Sequence, residues 1–165
     1  MTPTSRRLTV LALLTLLFMA LAIGTRLSIK SLSPVPPKLG LFYGQFKRCP
    51  DKPNCVSTQA TRDYQKIEPI SFEGVDRPTA YKVLSDVIET MPRAHVLVSR
   101  VDYVHVEFHS FWFGFRDDTE FALNDSTKKI DMRSAARLGG GDMGVNRARV
   151  EEIRAKFSQV LKEKR

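Results

Sequence analysis

The stretch "YVHVEFHSFWFGF", residues 103–115, alternates with period two, and its reading decides the fold class. Val104, Val106, Phe108 and Trp112 fall on one side of an extended ribbon. His105, Glu107, His109 and Phe111 fall on the other. Gly114 and "RDD" interrupt the ribbon before a second strand, "TEFALN". "NDSTKK" supplies turn residues, and "KIDMRSAARL" reads as the next strand. "GGG" at 139–141 is a flexible corner. It leads into "DMGVNRARVEEIRAKFSQVLKEKR", whose Val150, Ile153, Phe157, Val160 and Leu161 form one helical stripe. Glu151 and Glu152 lie early in that helix and Lys162, Lys164 and Arg165 late, as the helix dipole favours.

Upstream, "AHVLVSRVD" is a valine-rich strand. Before it, "RPTAYKVLSDVIETMPR" places Ala80, Val83, Leu84, Val87, Ile88 and Met91 at helical spacing. Pro78 suits the first turn of this helix and Pro92 marks its stop. "KIEPISFEG" reads as a short strand ended by Gly74. The order predicts an α+β domain, an antiparallel meander sheet with two helices packed on one face. There is no internal repeat and no boundary within the domain.

The chain has 165 residues and 42% hydrophobic side chains, enough for one core and a tail. That tail is the amino terminus. Arg6 and Arg7 precede a run from Leu8 to Gly24 without a charge. Such a run is a secretory signal or a signal anchor. Ala20-Leu21-Ala22 would serve as a cleavage site, but the run is long enough to favour an uncleaved single transmembrane helix. The expected organisation is a short cytoplasmic segment 1–7, an anchor 8–24, an extended linker 25–45 and the domain 46–165. Pro34, Pro36 and Pro37 favour an extended spacer in the linker. Basic residues flank the anchor on both sides, so the positive-inside rule does not orient it. An anchor with almost nothing before it normally exports the chain on its carboxyl-terminal side. The expected location is the bacterial inner membrane, single-pass, with the domain in the periplasm.

"CPDKPNCVST", residues 49–58, supports export. Its spacing is wider than a CxxC redox pair, and two cysteines alone do not complete a zinc site. Across a proline-rich turn outside the cytoplasm, Cys49 and Cys55 are expected to form a structural disulfide.

Three blocks, "CPDKPNCVST", "FRDDTEFAL" and "MRSAARLGGGDMGVNRARVEEIR", together resemble the family called domain of unknown function 1499, over about Phe46 to Phe157. The resemblance implies an amino-terminal export or anchor segment and brings no established activity. Where forms of the motif read "RSASR", this chain has Ala136, which argues against a catalytic serine there.

Three constellations could carry chemistry. Arg133, Arg137, Asp142, Asn146 and Arg147 surround the glycine corner, where free backbone N–H groups and arginines would make an anion site. Asp142 could instead cap the helix. In "RDDTE", Asp118 and Glu120 share a face and Asp117 takes the other. These acids could do acid–base work or hold a cation, but pairing with Arg133 and Arg137 on the adjoining strand is preferred. In "HVEFH", His105 and His109 stand about 13 Å apart along a strand, too far to chelate one ion. Half-exposed cross-strand pairing is expected for that face.

No nucleophile elbow, phosphate loop or dinucleotide fingerprint is present. Ser110 and Ser134 have no base at a diagnostic spacing. No catalytic residue, metal or cofactor is therefore expected. Omitting Arg6 and Arg7, 24 basic side chains face 18 acidic ones, which favours anionic lipid or another anionic ligand. Nucleic acid is an unsuitable partner for an exported domain. The preferred function is a non-enzymatic envelope module binding an anionic or lipid ligand or a protein partner. The alternative is a hydrolase or metal-dependent enzyme using Asp118 and Glu120 with a histidine.

Overall fold

The computed structural model describes residues 3–163. Met1 and Thr2, and the terminal basic residues Lys164 and Arg165, lie outside the described residues. Helix α1 (Pro3–Leu32) precedes the domain. It is long and apolar enough to cross a membrane, and its apolar span is not buried against the rest of the chain. The helix continues past the predicted anchor into residues expected to be extended linker, because nothing before Ser33 and Pro34 breaks it.

The domain contains β1 (Cys55–Ser57), β2 (Ile70–Ser71), α2 (Arg77–Glu89), β3 (Ala94–Arg100), β4 (Tyr103–His109), β5 (Arg116–Asn124), β6 (Lys129–Ala136) and α3 (Val145–Glu163). The strands form one six-stranded antiparallel sheet in the order β1-β6-β5-β4-β3, with β2 also on β6. The predicted α+β meander with two helices is the observed architecture. The expected strand over "KIEPISFEG" shrinks to Ile70–Ser71, and the segment at Cys55 adds a strand that periodicity does not show. Both short strands use the outer edge of β6, opposite Ala135 and Ile130 respectively.

Both helices pack on one face. Helix α2 starts where Asp76 accepts from Thr79 N–H at 2.9 Å, with Pro78 in its first turn. It buries Ala80, Val83, Leu84, Val87 and Ile88. Helix α3 buries Val150, Ile153, Phe157 and Leu161. These meet Val104, Val106 and Phe108 of β4 and Phe121, Ile130 and Met132 of the neighbouring strands. Phe72, Phe121 and Phe157 are fully buried. Helix α3 begins at Val145, so Glu151 and Glu152 miss its first turn. Asp142 takes that place, accepting from the N–H groups of Gly144 and Asn146 at 3.0 Å each.

The 103–115 ribbon departs from its reading in two ways. It ends as a strand at His109, because Gly114 adopts φ 69° and the turn closes through Gly114 N–H to Ser110 O. Trp112 therefore leaves the core side and is 79% exposed. In addition, the His105 face is buried, not half-exposed. Residues 33–50 cover it. The Gly40 N–H donates to Glu120 at 2.7 Å, Arg137 donates to Ser33 O at 3.0 Å, and Phe46 packs with Tyr103 and Ala122. The expected spacer is a lid folded over the sheet.

Candidate functional site

Register brings the polar residues of three strands together beneath that lid. Glu107 lies opposite Asp118, His105 opposite Glu120, and Glu120 opposite Arg133. Arg137 comes just after the end of β6 and grips Asp118 with two bonds, at 2.7 and 2.8 Å. It also pairs with Glu107 at 2.5 Å. Glu107 further accepts from Arg116 at 2.9 Å and is bonded to His109 Nε2 at 2.6 Å. His105 Nε2 lies 2.8 Å from Asp118. Glu120 accepts from Tyr103 at 2.8 Å and from Arg133 at 3.1 Å. The expected pairing of these acids with Arg133 and Arg137 is what the structure contains.

Three carboxylates thus face three guanidinium groups with almost no solvent. Burial pushes the Asp118 carboxyl up, but the Arg137 and His105 contacts outweigh it and hold it below the usual range. Glu107 is likewise lowered: burial opposes, while His109, Arg137 and Arg116 prevail. Burial raises the Tyr103 phenol far above its ordinary value, and the Glu120 charge adds to that. Asp117, pointing to the helix face, shows the reverse balance. Burial raises its carboxyl despite the Arg149 guanidinium 2.7 Å away.

The residues expected around the glycine corner divide between the two faces. Arg133, Arg137, Asp118 and Glu120 belong to the network under the lid. Asp142 and Asn146 belong to the helix side, where buried Asn146 bonds Ser134 at 2.5 Å and Asp142 at 2.7 Å. Arg147 turns away and donates to the carbonyls of Tyr64 and Lys66 at 2.8 and 2.9 Å. The corner does not gather three cations, because the pleat sends strand arginines and helix-start residues to opposite sides. The clasp holds the corner instead. Cys49 and Cys55 form a disulfide with Cα atoms 5.6 Å apart. Beside it, the Asn54 side chain donates to Gly139 O at 3.0 Å.

Between the lid and the sheet lies a cavity of about 320 Å³. Lys47, Arg48, Arg133 and Arg137 line it with a single acid, Asp118, and with Pro36, Leu39 and Pro50. The Arg133 side chain is only 5% exposed, and its Nε–H has no acceptor among the described residues. Lys47 and Arg48 are exposed and make no ion pair among the described residues. Every carboxylate oxygen of Asp118 and Glu120 already accepts from a named donor. A metal ion would have to displace these donors, and no metal-ligating cluster of three residues occurs among the described residues.

Sequence spacing alone sets His105 and Glu107 apart from Asp118 and Glu120. Parity around the 110–115 turn is the signal that unites them. Lys47 and Arg48 carry no such signal, since only the return of the lid brings them here.

Fold and site define a class: an α+β domain with a lidded ionic network, behind an amino-terminal helix able to cross a membrane. The chain belongs to the family of proteins of unknown function designated domain of unknown function 1499, whose model matches residues 45–157. No curated protein and no solved structure matches the chain.

Proposed function

We propose that this protein is a non-enzymatic envelope module, anchored by α1 in a bacterial inner membrane, whose periplasmic domain binds a phosphate-like anion beneath its lid. One observation carries this reading. Lys47, Arg48, Arg133 and Arg137 line one cavity with Asp118 as its single acid, after the network has already balanced its own charges. Two of these cations, Lys47 and Arg48, are exposed and have no ion-pair partner among the described residues, and an anion supplies one. Free phosphate and a phosphate-bearing headgroup share that chemistry. The disulfide supports export, since such bonds persist in oxidising compartments.

The hydrolase or metal-enzyme alternative draws on the His105–Asp118 contact. That histidine, however, is buried beneath the lid, and its Asp118 partner is held by Arg137 through both oxygens, the arrangement of a structural ion pair. Binding is the better use of the site.

The test is thermal unfolding of the detergent-solubilised chain at low salt, because a ligand specific for the native state raises its melting temperature. Inorganic phosphate should raise it, and the double substitution Lys47→Ala with Arg48→Ala should remove the rise. No rise with phosphate or with an anionic headgroup defeats the anion reading. A rise with a divalent ion, lost in Asp118→Asn, moves the enzyme ahead. Orientation is tested separately by a reporter fused after Arg165 that works only when exported. An inactive reporter defeats the periplasmic placement.

A further inference from the structure

The β4–β5 turn carries Phe111, Trp112, Phe113 and Phe115, which are 59%, 79%, 55% and 41% exposed. Four adjacent exposed aromatic rings form a patch that water does not favour. The turn is not free in space. Arg26 of α1 donates to Phe111 O at 2.9 Å, and a Cβ at Gly114 would stand 3.2 Å from the Arg26 side chain. Ile23, Arg26, Leu27 and Lys30 of α1 line one cavity together with His109 and Gly114 of the hairpin. The aromatic tip is therefore fixed beside α1, at the level where its uncharged run ends.

That level has physical meaning. The run from Leu8 to Gly24 rises about 25 Å as a helix, close to the roughly 30 Å of bilayer hydrocarbon. Arg26 then falls at the membrane–water boundary. This is where tryptophan concentrates in membrane proteins, with arginine and lysine reaching for phosphates. Arg26 and Lys30 on the helix supply the cations, as does Arg93, whose guanidinium sits 5.7 Å from the Phe111 ring centroid.

We propose that the β4–β5 aromatic turn is a second membrane contact, inserting Phe111, Trp112 and Phe113 into the interfacial layer of an anionic bilayer beside α1. The domain then rests on the membrane surface in one orientation. This rests on α1 being a membrane anchor and is independent of the anion cavity.

Trp112 is the only tryptophan of the chain, so its fluorescence reports this turn alone. The full chain is reconstituted in vesicles of phosphatidylcholine and phosphatidylglycerol, with and without bromine on the acyl chains. The expected result is blue-shifted Trp112 emission, quenched by the brominated lipids and shielded from aqueous acrylamide. Phe111→Ser with Phe113→Ser, both at exposed positions, should red-shift the emission and abolish the lipid quenching. Three results overturn the proposal. Acrylamide-quenched, lipid-insensitive emission in a chain that floats with the vesicles leaves the anchor standing and removes the second contact. Failure to float with vesicles removes both. A blue shift that grows with protein concentration and ignores brominated lipid assigns the patch to a second copy of the chain.

Discussion

On the helix side of the sheet, Val104, Val106, Phe121 and Met132 pack against α2 and α3. On the opposite side, His105, Glu107, Glu120 and Arg133 are just as buried, yet they lie under an irregular lid, residues 33–50, and hold one another by charge. The same strands supply both faces, with one residue's offset between them. The apolar face needs only shape and area, which helices provide. The polar face needs every donor matched to an acceptor, and three acids against three arginines nearly achieve this. Arg133 Nε and Arg116 Nε are the exceptions among its arginines. The difference teaches where binding can arise. An apolar core that is complete has no use for a ligand, whereas a charged face with Lys47 and Arg48 exposed at its rim does.

The comparison breaks most sharply by single deletions on each side. Phe121→Ala should cost about 3–5 kcal/mol through the cavity it leaves. Arg137→Ala should cost a similar amount, about 3–5 kcal/mol, because Asp118 loses its bidentate partner in a buried site. Urea unfolding of the detergent-solubilised chain measures both. The faces should differ on repair: Arg137→Met combined with Asp118→Leu should cost less than the two single losses together. Neither residue's charge is then left facing the other's vacancy, while Glu107 and His105 each still lose one partner. If the double substitution costs the sum of its parts, Arg137 and Asp118 are not coupled to each other and each acts through its other partners, Glu107 and His105.

The next effect in size tests the lid's attachment. Cys49→Ser with Cys55→Ser should lower stability by about 2 kcal/mol on the chain-entropy account of so short a loop. It should also loosen the contact between Asn54 and the end of the last strand, read as faster amide exchange at Ala136, whose N–H donates to Asn54 O.

Acid separates the faces by sign. Asp118 and Glu107 have lowered folded pKa values, so their contribution is present above the unfolded value near about pH 4 and is lost as pH falls through the folded values. Asp117 has a raised folded pKa, so the folded protein takes up that proton before the unfolded chain does, and acidification favours folding through this group. Stability measured from neutral pH downward should fall less steeply in Asp118→Asn. In Asp117→Asn it should fall more steeply than in the wild type. Equal slopes in the two variants would contradict the opposite balances of burial and pairing.

The smallest change in stability is expected at the rim. Lys47→Ala and Arg48→Ala, both exposed, should stay within about 0.5 kcal/mol of the wild type in the absence of anion. Their effect should appear only as the lost response to phosphate, which keeps binding distinct from folding.

Much of the architecture is legible in one dimension. Period-two alternation in 103–109 and helical spacing in 77–91 and 145–161 are local signals, and each element obeys its own. The uncharged run after Arg7 and the cysteine spacing are local too. Strand parity joins Asp118 to Glu120, and adjacency of β5 and β6 joins both to arginines. The short strand at Cys55 is illegible because a three-residue strand has no period to detect. The end of the ribbon at His109 depends on one glycine conformation against α1.

By itself the sequence determined the α+β class, the helix able to cross a membrane, the clasp and the opposite facing of Asp117 and Asp118, because neighbouring residues encode these directly. Tertiary structure alone decided that the linker becomes a lid, that Arg147 leaves the glycine corner, and that Lys47 and Arg48 meet Arg133 across one cavity. These outcomes depend on chain segments distant in sequence, and backbone periodicity carries no information about which of them return to touch.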